Sequence, residues 1–439
     1  MIRLFSVLAV AVFASLPARA EVDIQEVVSP GGITAWLVQE PSIPFMALEL
    51  RFRGGASLDA PDKRGAINLM TGLLEEGAGD LDARGFAREV EALAASFSYD
   101  VGDDALSVSA RFLTENRDDA VNLLRMSIID PAFEQTALDR VRGQVLAGLR
   151  SDAKDPDEIA RAAFDKMAYG DHPYGSNYRG TIDSVTALTR DDIVDAHRAV
   201  FAKDRLYVGA VGDITPEELG PLLDTLLGAL PETGAPQPQQ ADILIEGGTT
   251  VVPFETPQSV AIFGQVGIEQ DDPDFFAARV LNQVLGAGGF ESRLMTEVRE
   301  KRGLTYGVYS FLVPLDHAAT LQGQVASAND RIAEAVSVIR DEWERAATNG
   351  VTQEELDAAK LYVTGAYPLR FNGNAQIARI IVGMQMLGLP IDYIATRNEK
   401  VDAVTLDDVK RVAGELLDPD SLHFVVVGEP AGLETTIAN

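Results

Sequence analysis

Residues 185–193 (Val-Thr-Ala-Leu-Thr-Arg-Asp-Asp-Ile) and 401–409 (Val-Asp-Ala-Val-Thr-Leu-Asp-Asp-Val) repeat one pattern at an offset of 216 positions, and the register continues without a gap, so that 206–212 (LYVGAVG) falls on 422–428 (LHFVVVG). Matching stretches at one offset imply a duplicated unit of about 200 residues, a size that folds as a single domain. Thr189 and Thr405 each precede two aspartates and an amphipathic run, the arrangement of a helix N-cap with acidic residues at the positive end of the helix dipole. Each helix is followed by a continuous apolar strand closed by glycine. Residues 231–240 (PETGAPQPQQ) are rich in proline and glutamine and have no hydrophobic period, which marks a linker. The expected organisation is therefore a first unit over 21–231, a linker over 232–242 and a second unit over 243–439.

The coarse pattern within each unit is strand, helix, strand, then helices. In the first, 33–39 and 45–52 alternate as strands, 65–76 is helical, 97–112 forms a hairpin turning at Gly102-Asp103-Asp104, and 115–167 is mostly helical. In the second, 259–266 reads as a strand, 274–285 and 292–301 as helices, 304–313 as a strand, and long helices start near Asp330 and Gln353. The fold class expected is α+β: two homologous two-layer α/β sandwiches.

The first twenty residues stand apart. Arg3, an apolar run over 4–16 and Ala18-Arg19-Ala20 have the form of a cleavable signal peptide, so the mature chain is expected to be exported, to a periplasm-like compartment. No later stretch is apolar for the roughly 20 residues of a membrane span. There is no cysteine, so neither disulfides nor thiolate metal sites contribute. Removing the leader lowers Lys plus Arg from 37 to 35 against 67 acidic residues, a net charge of −32. Such a surface repels nucleic-acid phosphates and anionic lipid, which excludes both as partners.

The segments Arg53-Gly54-Gly55-Ala56-Ser57, Gly65-Ala66-Ile67 and Leu73-Leu74-Glu75-Glu76-Gly77-Ala78, together with 288–308 (GGFESRLMTEVREKRGLTYGV), resemble the inverted zincin peptidases, the group of pitrilysin, insulin-degrading enzyme and mitochondrial processing peptidase. The resemblance covers nearly the whole mature chain. It places Asn68, Thr71 and Gly72 where His-x-x-Glu-His would supply two zinc ligands and the general base, and Ala147-Gly148 where a glutamate would supply the third. None of these residues can do those jobs, because Zn²⁺ needs convergent imidazole, carboxylate or thiolate donors. Glu75 and Glu76 are expected to point away from the face of residues 68 and 72. His172, His197, His317 and His423 are expected to lie apart, without a metal-binding spacing. This chain is thus expected to bind no metal or other cofactor.

The second half keeps the group's second signature, in which an arginine and a tyrosine seven residues apart reach the active site; here these are Arg299 and Tyr306. Their guanidinium and phenol can donate hydrogen bonds to a carbonyl oxygen becoming an oxyanion, or hold peptide backbone. Composition alone would instead make Arg299 one surface charge among several in Arg299-Glu300-Lys301-Arg302, and Tyr306 a strand aromatic. Arg293 reads as structural. By the same resemblance, Ser96, Phe97, Ser98 and Tyr99 form the edge to which an extended peptide would add as a strand. The resemblance implies a metal-free subunit of a heterodimeric peptidase whose homologous partner carries zinc and the base. A non-catalytic peptide-binding or assembly module is the alternative, and a self-sufficient zinc peptidase is the third reading.

Overall fold

In the computed structural model, which describes residues 22–436, the two units have matching sheets. The first sheet contains β1 (Gln25–Val28), β2 (Thr34–Gln39), β3 (Phe45–Arg53), β4 (Ser96–Val101), β5 (Ala105–Leu113) and β6 (Leu206–Gly212), in the spatial order β1-β2-β6-β3-β5-β4. The second contains β7 (Gly248–Pro253), β8 (Gln258–Val266), β9 (Val308–Leu315), β10 (Ala318–Ala328) and β11 (His423–Gly428), ordered β9-β10-β8-β11-β7. Apart from β1 the orders are identical. In both, the strand from the repeated segment is interior, parallel to one neighbour (β2 or β7) and antiparallel to the other (β3 or β8). The duplication read from residues 185–212 and 401–428 is thus a duplication of topology. The expected leader and its cleavage after Ala20 lie outside the described residues.

The helices of the first unit are α1 (Ala66–Thr71), α2 (Ala83–Ala92), α3 (Arg117–Ile129), α4 (Gln135–Asp152), α5 (Pro156–Tyr169), α6 (Ile182–Ala187), α7 (Arg190–Val200) and α8 (Pro216–Leu227). Those of the second are α9 (Phe275–Asn282), α10 (Ile332–Asn349), α11 (Gln353–Gly365), α12 (Asn374–Met386), α13 (Tyr393–Ala403) and α14 (Leu406–Leu416). Thr189 and Thr405 cap α7 and α14 as expected, each in a reciprocal capping box with the aspartate three residues on.

Strand alternation explains where the cores lie. Ala35 and Leu37 of β2 face the helices of their own unit, whereas Trp36 and Val38 face Ala378, Ile381 and Met384 of α12, a helix of the other unit. The second sheet does the converse. Ala261, Phe263, Phe424 and Val426 pack within their own unit, while Val260, Ile262, Val425 and Val427 meet Ala160, Phe164 and Ala168 of α5. Each unit therefore lends one helix to cover the outer face of the other's sheet. Both faces of the central strands are buried, which is why those strands read as unbroken apolar runs.

Four element readings need correction. The helix expected over 65–76 stops at Thr71, whose Oγ1 donates back to Ile67 O (2.8 Å), and Gly72, a poor helix former, ends the run before buried Leu73 and Leu74. The helix over 274–285 ends as a π-helical turn (Gln283–Ala287), and that over 292–301 widens the same way over Met295–Glu300. The strand expected from Leu304 begins at Val308. Strand β10, α12 and α13 had no counterpart in the sequence reading. Residues 232–242 carry no regular structure, yet they are held to both units: Gln237 Nε2 donates to Arg53 O (3.2 Å) and Ala241 N to His317 O (2.8 Å).

Candidate functional site

Asn68 is half-buried on α1, Thr71 is buried and bonded back into its own helix, and Gly72 has no side chain to offer. At the position of the missing third ligand, a Cβ built on Gly148 would sit 3.7 Å from Arg179 Nη1. Arg179 is paired with Asp152 Oδ2 (2.6 Å) and Glu158 Oε2 (3.8 Å). A guanidinium thus stands where a dication would need an anionic donor, and the residues present do not fit zinc. Among the described residues no group of three or more His, Cys, Asp or Glu side chains is placed to hold a metal ion. Glu76 is engaged by Arg140 of α4.

The histidines are not all apart, contrary to the sequence reading. His172 and His317 come from different units, but their ring centroids lie 6.3 Å apart, and both rest against Tyr174, at 4.5 and 6.1 Å. The cause is the meeting of the β9–β10 hairpin tip with the first unit: Asp316 N donates to Asp104 Oδ2 (3.0 Å) and His317 N to the Tyr174 hydroxyl (3.2 Å). Burial pushes both imidazoles below their ordinary range. His172 is fixed by Gln239 O and Tyr174 N, a structural arrangement. His197 bonds Ile128 O, and His423, buried in β11, bonds Thr250 Oγ1 and Glu246 O.

Arg299 and Tyr306 line one open cavity of about 390 Å³, with Glu300, Gly303, Ser327 and Arg331. The local chain explains this. The π-helical stretch ends at Glu300, and Gly303, with a φ of 59°, then reverses the backbone. Thr305 then locks the turn, its hydroxyl bonding Gly307 O (2.8 Å) and Ala326 O (2.7 Å). Tyr306 sits on that turn ahead of β9 and not within the strand, and is 89% exposed. The charges around Arg299 sort themselves: Lys301 and Arg302 both pair with Glu297 (2.7 and 2.8 Å). Arg299 instead lies over the ring of Phe290, 4.7 Å from its centroid. Arg293 makes a two-pronged bond to Glu355 (2.7 and 2.6 Å), which holds that carboxyl down to about 2 although burial pushes the other way. Arg293 is structural.

Ser96, Phe97, Ser98 and Tyr99 lie on β4, the outermost strand of the first sheet, and β9 is the outermost strand of the second. Phe97 and Tyr99 turn inward, the Tyr99 hydroxyl bonding Ser127. Ser96 and Ser98 line a separate small cavity of about 40 Å³ beside Glu49 and Arg379. Within this chain, then, the Arg299/Tyr306 pair and the β4 edge do not share a cavity. The sequence reading missed Thr305 and Arg331; the latter donates to Gly303 O and Arg302 O and so shapes the same turn. Only the β-hairpin folding back over the turn, invisible to periodicity, brings them there.

Comparison with known proteins agrees with this geometry. Residues 35–182 match the family model described as insulinase (peptidase family M16), and residues 187–362 that of the peptidase M16 inactive domain. The chain is similar to the non-peptidase homolog YmxG of Helicobacter pylori (28% identical; 88% of this chain, 89% of that one) and to an uncharacterized zinc protease of Streptomyces coelicolor (25%; 88% and 86%). Among solved structures it is similar to a peptidase M16 inactive domain from Pseudomonas fluorescens (TM-score 0.87, 28% identical, covering 95% of this chain and 100% of that one). A protease from Helicobacter pylori shares the fold (TM-score 0.84, 17% identical, 92% and 99%). With the duplicated sheets, the altered metal positions and the signature around Arg299 already in place, the chain belongs to peptidase family M16, as a member without the zinc ligands.

Proposed function

We propose that this chain is the metal-free subunit of an exported two-chain peptidase, paired with a homologous zinc-bearing chain that supplies both metal and general base. The observation that carries this reading is the state of Arg299 and Tyr306: side by side on an open cavity, one the cation of its cluster left, among the described residues, without a carboxylate, the other exposed on a locked turn. Neither residue stabilises the core in that position. Both are free to donate hydrogen bonds to peptide carbonyl groups, or to an oxygen gaining negative charge. An extended substrate would lie along the free edge of β4 at Ser96–Tyr99, in the mode of strand addition.

The test is to co-express the chain with a zinc-bearing M16 relative from the same cell and follow peptide cleavage. Tyr306→Phe is expected to lower kcat/KM by on the order of 10²-fold, the usual effect of losing one such donor. Full activity of the partner alone, unaffected by this chain, sinks the proposal. A peptide-holding module without a part in catalysis is the second reading, favoured by the separation of the β4 edge from the Arg299/Tyr306 cavity. Unchanged turnover of the purified complex carrying Arg299→Met and Tyr306→Phe together decides for it.

A further inference from the structure

Five arginines converge on one cavity of about 340 Å³ in a chain whose net charge is −30. Arg279 comes from α9, Arg370 from the turn before α12, Arg379 from α12, Arg397 from α13, and Arg51 from β3 of the other unit. Arg51 and Arg379 share Glu49, each at 3.9 Å. For Arg279, Arg370 and Arg397 no carboxylate lies within 4.0 Å among the described residues.

What surrounds these three groups is phenol and backbone. Arg397 is 2% exposed; its Nη1 donates to Val363 O (2.9 Å) and Asn398 Oδ1 (2.8 Å), and its guanidinium lies 4.4 Å from the centre of the Tyr367 ring. Tyr393 lines the same wall, with Lys400 5.3 Å from its ring centre. Burial, and then the neighbouring Arg370, holds the Arg279 guanidinium below the ordinary arginine range; burial and Arg279 do the same to Arg397. Arg397 is buried, Arg279 half-buried and Arg370 exposed at the rim; like charges gathered on one cavity, in a fold with abundant carboxylates elsewhere, leave an uncompensated positive potential. Arg51 Nε is also buried, with no acceptor among the described residues.

We propose that this cavity is a binding site for a small phosphate-bearing polyanion. Three guanidinium groups without a counterion call for two or more negative charges in one compact group, more than a single peptide carboxylate provides. Their planar forks suit tetrahedral oxyanions, and the cavity falls in the size range of small-molecule sites. Met384, Leu387 and Leu389 line one side and could pack against an apolar part of the ligand. The site is separate from the Arg299/Tyr306 cavity and does not depend on the function proposed for it.

The experiment is titration calorimetry of the whole chain with tripolyphosphate as probe, at low ionic strength, alongside thermal melting. Saturable binding and a rise of several degrees in melting temperature are expected. Arg279→Gln and Arg370→Gln should each weaken binding about tenfold or more, the scale of one lost charge-assisted contact. Arg370 lies on an exposed turn, so its variant keeps the fold even where Arg279→Gln loses it. Arg88→Gln, on exposed α2, should bind as the parent does. No binding, equal weakening by Arg88→Gln, or binding unchanged by Arg370→Gln overturns the proposal. Citrate is expected to bind at least about tenfold more weakly; equal binding overturns the assignment to phosphate.

Discussion

Replacing Arg64 should be the most damaging single change near the degenerate metal helix. Its side chain is 8% exposed, and its guanidinium reaches Asp103 Oδ1 (2.6 Å), Ser176 Oγ (3.0 Å), Pro173 O (3.0 Å), Ser176 O (3.1 Å) and Ala56 O, with Asp59 at 3.8 Å. Arg64→Met keeps most of the stem but leaves buried Asp59 and half-buried Asp103 without their cation. Removing one partner of such a network costs about 3–5 kcal/mol. At about 2–4 °C per kcal/mol for domains of this size, the melting temperature should fall by roughly 6–20 °C. The loss should depend on pH. Burial raises Asp59 to about 6 from 3.8, despite hydrogen bonds from Ile67 N and Gly65 N and the charge of Arg64, and burial raises Asp103 against Arg64. A carboxyl raised in the folded state is destabilising when ionised: stability is highest below its unfolded value, falls as pH climbs to the folded value, and is level above it. Without Arg64 both carboxyls rise further, so the deficit of the variant should be larger at pH 8 than at pH 5. Urea unfolding at the two pH values measures it, and Asp59→Asn with Asp103→Asn in the Arg64→Met background should recover part of the loss. A deficit below about 1 kcal/mol, or one equal at both pH values, would refute the stranded-carboxylate account.

Other perturbations separate structural from functional side chains. Asp165 is raised to about 7 by burial, against the attraction of Arg161; by the same sign argument Asp165→Asn should stabilise the fold more at pH 8 than at pH 5, by on the order of 2 kcal/mol in urea unfolding. Arg299→Met and Tyr306→Phe should leave the melting temperature within about 1 °C of the parent, because neither change removes a buried contact. Trp343→Ala should cost about 3–5 kcal/mol, since the indole is fully buried, meets Phe263 edge-on and donates to Gln265 Oε1 (2.7 Å).

Much of the fold is legible in local chemistry. Capping threonines, the turn at Gly102-Asp103-Asp104 and the paired apolar strands each depend on neighbours a few residues away, and the structure places them as read. Element ends were less legible. Helix α1 is shorter than its hydrophobic pattern because Thr71 and Gly72 end it, and the two π-helical turns have no hydrophobic period that differs from an α-helix. At the site, the signature singles out Arg299 and Tyr306, but what leaves Arg299 unpaired in its cluster, among the described residues, is Glu297 holding both Lys301 and Arg302, a matter of contacts made in the folded chain.

By itself, the order of residues determined the duplication, the family likeness and the loss of zinc chemistry at Asn68, Thr71, Gly72 and Gly148, because each follows from residue type and spacing along one stretch of chain. Tertiary structure alone decided that α5 and α12 are exchanged between units, that His172 meets His317, and that Arg51, Arg279, Arg370 and Arg397 share one cavity. These residues are tens to hundreds of positions apart. Their meeting depends on how two sheets bury their outer faces against each other, which no local pattern encodes.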